Sequence, residues 1–169
     1  MRNLRNGIVR RLRLFGASER GVQLIELAIA LPVLLMLFAA TAEFGRYFYH
    51  YSTLAKATRA GARYLATTPV KKTGGNALED PKVKNLVVYG DPNAGDGGTP
   101  IIPGLTPANV EIERDGPIIT VPDTVTVRII NYNYTPMIDL GDFTKGKSWT
   151  AVPLKPSTTM RYLLTQPTP

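Results

Sequence analysis

One carboxylate lies inside the longest apolar run of the sequence, and its position needs a chemical explanation. Between Val22 and Ala42 the sole charged residue is Glu26. A carboxylate in hydrocarbon is costly unless it is neutralised, paired, or able to reach the polar interface. Because Glu26 lies about one helical turn into the run, two interpretations stay open. The side chain snorkels to the interface, or it pairs with a cation that a partner supplies.

Other residues with chemical potential form no catalytic or metal-binding set. His50 is the only histidine, and the sequence has no cysteine. A metal site would need carboxylates from elsewhere, and no nucleophile stands beside a base. The segment 91–96, DPNAGD, is superficially similar to a calcium loop, but its fifth position lacks an oxygen side chain and its sixth lacks glycine. We therefore predict no enzyme activity, no cofactor, no metal and no small-molecule substrate, and we expect His50 to pack at an interface.

The apolar run itself predicts a membrane-spanning helix. At about 1.5 Å per residue, the residues from Val22 to Ala42 extend roughly 30 Å, the thickness of a bilayer's hydrocarbon core. Pro32 lies inside the run, and membrane helices tolerate such a proline with a local kink. We assign residues 22–44 to the transmembrane helix.

The segment before this helix is strongly basic. Residues 1–20 contain six arginines and one glutamate, which accounts for most of the chain's net charge of +7. Such a segment suits a nucleic-acid arm, a transit peptide or the cytoplasmic flank of a membrane helix, and the apolar run that follows at once favours the flank. A cleaved secretory signal would have a shorter apolar region. Fewer cations follow the other end, so we predict a cytoplasmic N terminus, an extracytoplasmic C-terminal domain and no nucleic-acid partner.

Beyond the membrane the helical pattern continues as a projecting helix, residues 45–66, which ends at Thr67-Thr68-Pro69. An apolar stripe repeats along it at spacings of three and four, and packs either on the chain's own C-terminal domain or on neighbouring subunits. The stripe consists of Leu54, Ala57, Gly61, Tyr64 and Leu65. Aromatic residues cluster where the helix leaves the membrane, and we expect them to anchor it at the interface. They are Tyr47, Phe48, Tyr49 and Tyr51.

Residues 67–169 predict a small α+β domain. A short helix is expected from Pro81 to Val88, capped by Asn76, with Leu86 and Val87 facing inward. A glycine- and proline-rich loop follows at 90–104. The remaining residues alternate as β-strands, one from Val110 to a turn at Asp115-Gly116, and another over 124–134. Two more segments, 148–154 and 157–164, complete an antiparallel sheet of three or four strands.

The start of the membrane helix resembles the processing site of type IV prepilins. A glycine, Gly21, follows a basic leader, an apolar residue, Val22, follows the glycine, and Glu26 is the fifth residue counted from Val22. In that superfamily a membrane-embedded peptidase cuts after the glycine, and the acid pairs with the new N-terminal amine of a neighbouring subunit. Two opposite charges that are each costly in hydrocarbon recover much of that cost when paired. The resemblance implies processing between Gly21 and Val22, and a role for Glu26 in subunit register.

A narrower resemblance covers the first third of the chain. The order of Gly21, Glu26, Pro32, the membrane-exit motif Glu43-Phe44-Gly45-Arg46 and the stretch 57–64, ATRAGARY, is similar to the TadE-like pseudopilins of tight adherence pili. Near the C terminus Thr158 to Arg161 is similar to their closing strand. The family's acid is often followed by an aromatic residue or leucine, and here it is followed by Leu27.

These observations predict a minor pseudopilin or assembly component of a tight adherence pilus in the bacterial inner membrane. Its implied partners are the membrane, a prepilin peptidase, other pilins and pilus assembly proteins. The alternative is an uncleaved single-pass anchor that presents a small binding domain. The predicted organisation is a leader (1–21), a transmembrane helix (22–44), a projecting helix (45–66) and an extracytoplasmic domain (67–169).

Overall fold

The computed structural model describes residues 19–69, 79–95, 97–115, 123–137 and 151–163. Several sequence-based predictions lie wholly or partly outside these residues. They are the basic leader up to residue 18, the cap at Asn76, Asp96 of the calcium-like segment, Gly116 of the predicted turn and residues 148–150 of a predicted strand.

One long helix, α1, runs from Glu19 to Thr67, so the predicted membrane and projecting helices are a single element of 49 residues that includes Pro32. Leucine and alanine, which lose little side-chain entropy in a helix, are frequent throughout it. At its C-terminal end, the Thr67 hydroxyl donates to the carbonyl of Arg63 at 2.9 Å, and the Thr68 hydroxyl to that of Tyr64 at 2.6 Å. These bonds satisfy carbonyls that have no partner within the helix.

The chain divides into two compact units between Ala42 and Glu43. In the first unit the large apolar side chains of α1 are exposed, as at Ile29 (71%) and Phe38 (74%). The most apolar window of α1 has a mean hydropathy of 2.3, and α1 is the one helix in the described part of the chain that is long and apolar enough to cross a membrane. The predicted α+β fold with an N-terminal candidate span is therefore confirmed.

The second unit contains two small antiparallel sheets. Strands β1 (Val110–Asp115), β2 (Thr124–Ile129) and β5 (Ser157–Arg161) form a three-stranded sheet in the order β1-β2-β5. Strands β3 (Asn133–Tyr134) and β4 (Val152–Pro153) form a two-stranded sheet. A helix α2 (Asp80–Tyr89) and a short 3-10 helix (Pro107–Asn109) precede the strands.

The alternation predicted the buried residues of β2 correctly, whereas Ile112 of β1 is only partly buried, and the predicted boundary after β2 is wrong. On β2 the side chains of Val125, Val127 and Ile129 are buried, and those between them are half-buried. The predicted strand over 124–134 is two strands, because Asn131 adopts a left-handed backbone with φ of 52°. Asparagine tolerates that conformation better than most residues, and it ends the pairing of β2.

Helix α2 begins at Asp80, with Glu79 as its N-cap residue. Its buried residues are Val83, Val87 and Val88, so the prediction for Val87 is confirmed. The prediction that Leu86 faces inward is wrong, since its side chain is only partly buried. Val83 and the valines four and five positions after it already supply the inward face of this helix, and Leu86 lies beside that face.

The predicted apolar stripe of α1 packs on the chain's own sheet within the second unit. Leu54 and Leu65 are fully buried, in one cluster with the β2 residues Val125 and Val127. Burying a leucine contributes roughly 1.5–3 kcal/mol. The buried Thr58 hydroxyl lies 3.0 Å from that of Thr158 on β5, which adds a polar contact between helix and sheet. Of the two alternatives for the stripe, the structure shows packing on the chain's own domain.

Gly61 marks the closest approach of α1 to its neighbours. A Cβ atom built on Gly61 would lie 2.7 Å from Val87 Cγ2, 3.3 Å from Val83 Cγ1 and 3.6 Å from Val127 Cγ1. All three neighbours are fully buried valines, which have little room to move. The absence of a side chain at this position therefore allows α1 to contact both α2 and β2.

We predict that Gly61→Ala destabilises the second unit by about 1–2 kcal/mol, because the overpacking exceeds the gain in helix propensity. The matched control is Gly45→Ala in the same helix, where a new Cβ meets nothing within 4 Å. That variant should be neutral or more stable by up to about 1 kcal/mol. Thermal melts of the full chain in detergent measure both. Equal stabilisation of the two variants would contradict close packing at Gly61.

Candidate functional site

The residues predicted for processing and register lie together at the start of α1. Gly21, Val22 and Glu26 are all helical, and Val22 and Glu26 are exposed. A side chain added at Gly21 would meet nothing within 4 Å. Glu26 forms no hydrogen bond or ion pair with any other residue that the structure describes. Its carboxylate is thus available to a cation from outside the chain, and its proposed role remains a prediction.

The predicted membrane-exit residues meet in a polar cluster within the second unit. The Glu43 carboxylate accepts a hydrogen bond from the Tyr134 hydroxyl, and another from the backbone N–H of Met137 at 3.1 Å. Its other oxygen lies 3.5 Å from Arg46 Nη1, an ion-pair distance. The Glu43 side chain is only 13% exposed, so two hydrogen bonds and one ion pair offset the cost of burying its carboxylate. We call Glu43, Arg46, His50 and Tyr134 the exit cluster.

Aromatic contacts enclose the ring of Tyr134, which is 3% exposed. The Tyr47 ring lies edge-on to it at a centroid distance of 5.5 Å, and the His50 ring at 5.1 Å. The guanidinium carbon of Arg46 lies 5.9 Å from the same centroid. Edge-to-face pairs contribute about 0.5–1.5 kcal/mol each beyond their buried area. Tyr134 of β3 therefore contacts three residues of α1, Tyr47, His50 and Arg46, and donates a hydrogen bond to a fourth, Glu43.

Short pairings position Tyr134 for these contacts. In the β3–β4 ladder Tyr134 is paired with Val152, and the backbone N–H of Leu154 donates to the carbonyl of Tyr132 at 3.0 Å. The turn at Asn131 separates this small sheet from β2. The turn at Asn131, which divides the predicted strand over 124–134, therefore allows Tyr134 to contact α1.

Two members of the exit cluster, Tyr134 and His50, have shifted pKa values. Burial, followed by the hydrogen bond to Glu43, raises the pKa of Tyr134 to about 12, so its hydroxyl remains a donor. Burial, followed by the nearby Arg46 charge, lowers the pKa of His50, although Glu43 opposes this shift. His50 is therefore neutral at pH 7. At His50 the unfolded chain binds a proton more readily than the folded chain does. The packing of neutral His50 therefore contributes fully to the free energy of unfolding above about pH 6.5, and this contribution is lost as the pH falls below that value.

The structure separates the members of the predicted aromatic anchor. Tyr47 packs on Tyr134 inside the second unit, whereas Phe48, Tyr49 and Tyr51 remain exposed. The expectation that His50 packs at an interface takes a specific form here, since its ring contacts Tyr134. Nothing in the structure tests the membrane-anchoring role.

Sequence reasoning missed Tyr134, which completes the exit cluster, and Met137, whose backbone N–H donates to Glu43. The available signal was Tyr132 and Tyr134 at strand spacing, which places both rings on one face. Their partners are about 90 positions earlier in the chain, and no local pattern joins the two segments.

No described group of three or more histidine, aspartate or glutamate residues is arranged to hold a metal ion. The described part of the calcium-like segment is a simple turn, in which the Asp91 carboxylate accepts from the backbone N–H of Asn93 at 2.9 Å. That arrangement uses the carboxylate locally, as aspartates in turns commonly do. The exit cluster likewise contains no nucleophile beside a base. Its contacts hold Tyr134 against α1.

We predict that Tyr134→Phe destabilises the second unit by about 1–2 kcal/mol, since the largely buried Glu43 carboxylate loses a donor. Tyr49→Phe is the matched control, because Tyr49 is exposed and its hydroxyl has no hydrogen-bond partner among the described residues. A double-mutant cycle of Tyr134→Phe with Glu43→Gln should show a coupling of about 0.5 kcal/mol or more in urea unfolding. Additive effects would mean that the bond contributes nothing to stability.

Comparison with known proteins gives one result. A family model described as TadE-like protein matches residues 21–63, about a quarter of the chain. The match contains Gly21, Val22, Glu26, Glu43 and Arg46, and Tyr134 lies outside it. No curated protein and no solved structure matches the chain. The resemblance stated from the sequence is confirmed over residues 21–63, which match the TadE-like family.

Proposed function

We propose that this chain is a minor pseudopilin or assembly component of a tight adherence pilus, processed by a prepilin peptidase between Gly21 and Val22. The observation that carries the proposal is the match of residues 21–63, which begins at the glycine where the basic leader meets the apolar helix. The exposed apolar side chains that follow support insertion in the inner membrane over residues 22–44. The excess of arginine in the leader supports a cytoplasmic N terminus.

In this proposal Glu26 and Glu43 have different tasks. Glu26, which lacks a partner among the described residues, pairs in the membrane with the free amine that cleavage creates on a neighbouring subunit. Glu43 is already compensated by Tyr134, Met137 and Arg46, and it holds the segment after β3 on α1. The first acid sets the register between subunits, and the second sets the register within one subunit.

An uncleaved anchor that presents a binding domain is the second candidate, and one observation favours it. Helix α1 already begins at Glu19, so the peptide bond after Gly21 lies within the first turn of its described part. A peptidase acts on an extended segment, and cleavage would require this turn to unwind. Helix ends fray readily, which makes such unwinding possible at low cost.

The mature N terminus distinguishes the two candidates. With a prepilin peptidase present, mass spectrometry of the membrane-resident protein should find Val22 as the first residue. Gly21→Leu should keep the leader, because a bulky residue replaces the glycine at the cleavage site. Gly45→Leu, at another glycine of α1 with free space around it, should still be processed. An intact N terminus on most of the wild-type protein would favour the anchor.

We also predict that Glu26→Ala abolishes association with other pilus components while membrane insertion is unchanged or improved. Removal of the carboxylate eliminates a desolvation cost, so any loss arises from the missing partner contact. Thr41→Ala is the control, since Thr41 is a polar residue of the same apolar segment whose hydroxyl bonds only to Leu37 of its own helix. Co-purification with the other components, together with filament counts by electron microscopy, measures the effect. Normal pili in Glu26→Ala would refute the assembly role.

A further inference from the structure

An open groove of about 570 Å³ lies along the exposed side of α1 in the second unit. Two arginines one helical turn apart, Arg59 and Arg63, line it together with Ala60 and Tyr64. Leu86 of α2 and Met160 of β5 complete the lining, and both are only partly buried. The groove thus combines two positive charges with apolar surface from two further elements.

Neither arginine of the groove has an acidic partner among the residues that the structure describes. Four other cations of the second unit do have one: Arg46 lies 3.5 Å from Glu43, Lys82 lies 3.0 Å from Glu79, Arg114 pairs with Asp80, and Arg128 lies 2.6 Å from Glu111. Arg59 and Arg63 are instead both exposed, with Lys56 also exposed one turn earlier. Like charges at this spacing destabilise a helix. The chain therefore keeps an unfavourable charge arrangement beside an uncovered apolar surface.

We propose that this groove is the docking surface for a segment of a partner protein that carries two carboxylates among apolar side chains. The carboxylates bind the guanidinium groups of Arg59 and Arg63, which are suited to charge-assisted, bidentate hydrogen bonds. The apolar side chains of the segment cover Leu86 and Met160. A partner of this composition satisfies both features of the groove at once, whereas a simple anion would leave the apolar surface exposed. This assignment does not depend on the proposed pilus role.

Distance along the helix favours a protein over a lipid surface. Arg59 follows Phe44, the end of the proposed span, by fifteen residues, which is about 22 Å along the helix axis. Attraction to anionic headgroups decays within a Debye length of about 8–10 Å. A second copy of the chain bound symmetrically through this surface would place arginines against arginines.

The test uses the full chain in detergent and pairs of short labelled peptides. Each peptide carries two glutamates among leucines and alanines, at the strand spacing i and i+2 or the helical spacing i and i+4, and each has a twin with glutamine in place of glutamate. Fluorescence anisotropy should show at least one glutamate peptide binding about tenfold more tightly than its twin. Arg59→Gln with Arg63→Gln should abolish this preference.

Lys84→Gln with Lys155→Gln is the matched control, because it removes the same charge outside the groove and should keep the preference. Thermal melts confirm that both double variants fold. If the arginine pair variant does not fold, the two single variants are measured, and each should lose part of the preference. The proposal is overturned if no glutamate peptide is preferred, or if the preference survives without the arginines. It is also overturned if the arginines instead mediate binding to anionic lipid vesicles or self-association in sedimentation.

Discussion

The close approach of α1 to α2 and β2 at Gly61 is the contact on which the second unit depends. Three buried valines surround the position where a side chain would begin. With the helix at this distance, Leu54 and Leu65 reach the same core cluster as the β2 valines, and Thr58 reaches Thr158. At the end of the helix the backbone N–H of Leu163 donates to the carbonyl of Ala66 at 3.1 Å. The sheet is thus attached along several turns of α1.

The exit cluster attaches a different part of the unit to the same helix. Tyr134 belongs to the small sheet, and it contacts α1 about three to five turns before Gly61. The cluster contains a carboxylate, a guanidinium, an imidazole and a phenol, and their contacts orient Tyr134 on α1. Burial raises the pKa of the phenol and lowers that of the imidazole, so both side chains are neutral at pH 7.

Glu26 and Glu43 occupy two different environments on one helix. Both lie in the TadE-like segment. Glu43 is largely buried and accepts from a hydroxyl and a backbone N–H, whereas Glu26 is exposed among apolar side chains and bonds to no other described residue. The Glu43 carboxylate is bonded within the second unit, whereas Glu26 has no partner among the described residues. Arg59 and Arg63 are likewise exposed and without an acidic partner in the described part of the chain.

The sequence alone determined the elements that depend on local pattern. A run of apolar residues of bilayer length predicts a spanning helix whatever it contacts, and period-two alternation assigned the buried face of β2 correctly. The spacing of Gly21, Glu26 and the exit motif was enough to identify the TadE-like segment. Only the tertiary structure decided the end of β2 before Asn131, the partial burial of Leu86 and the pairing of Glu43 with Tyr134. Each of these features depends on packing between residues that are far apart in the chain, because such packing selects a backbone turn or the inward face of a helix. Packing of this kind leaves no periodic signal in the sequence.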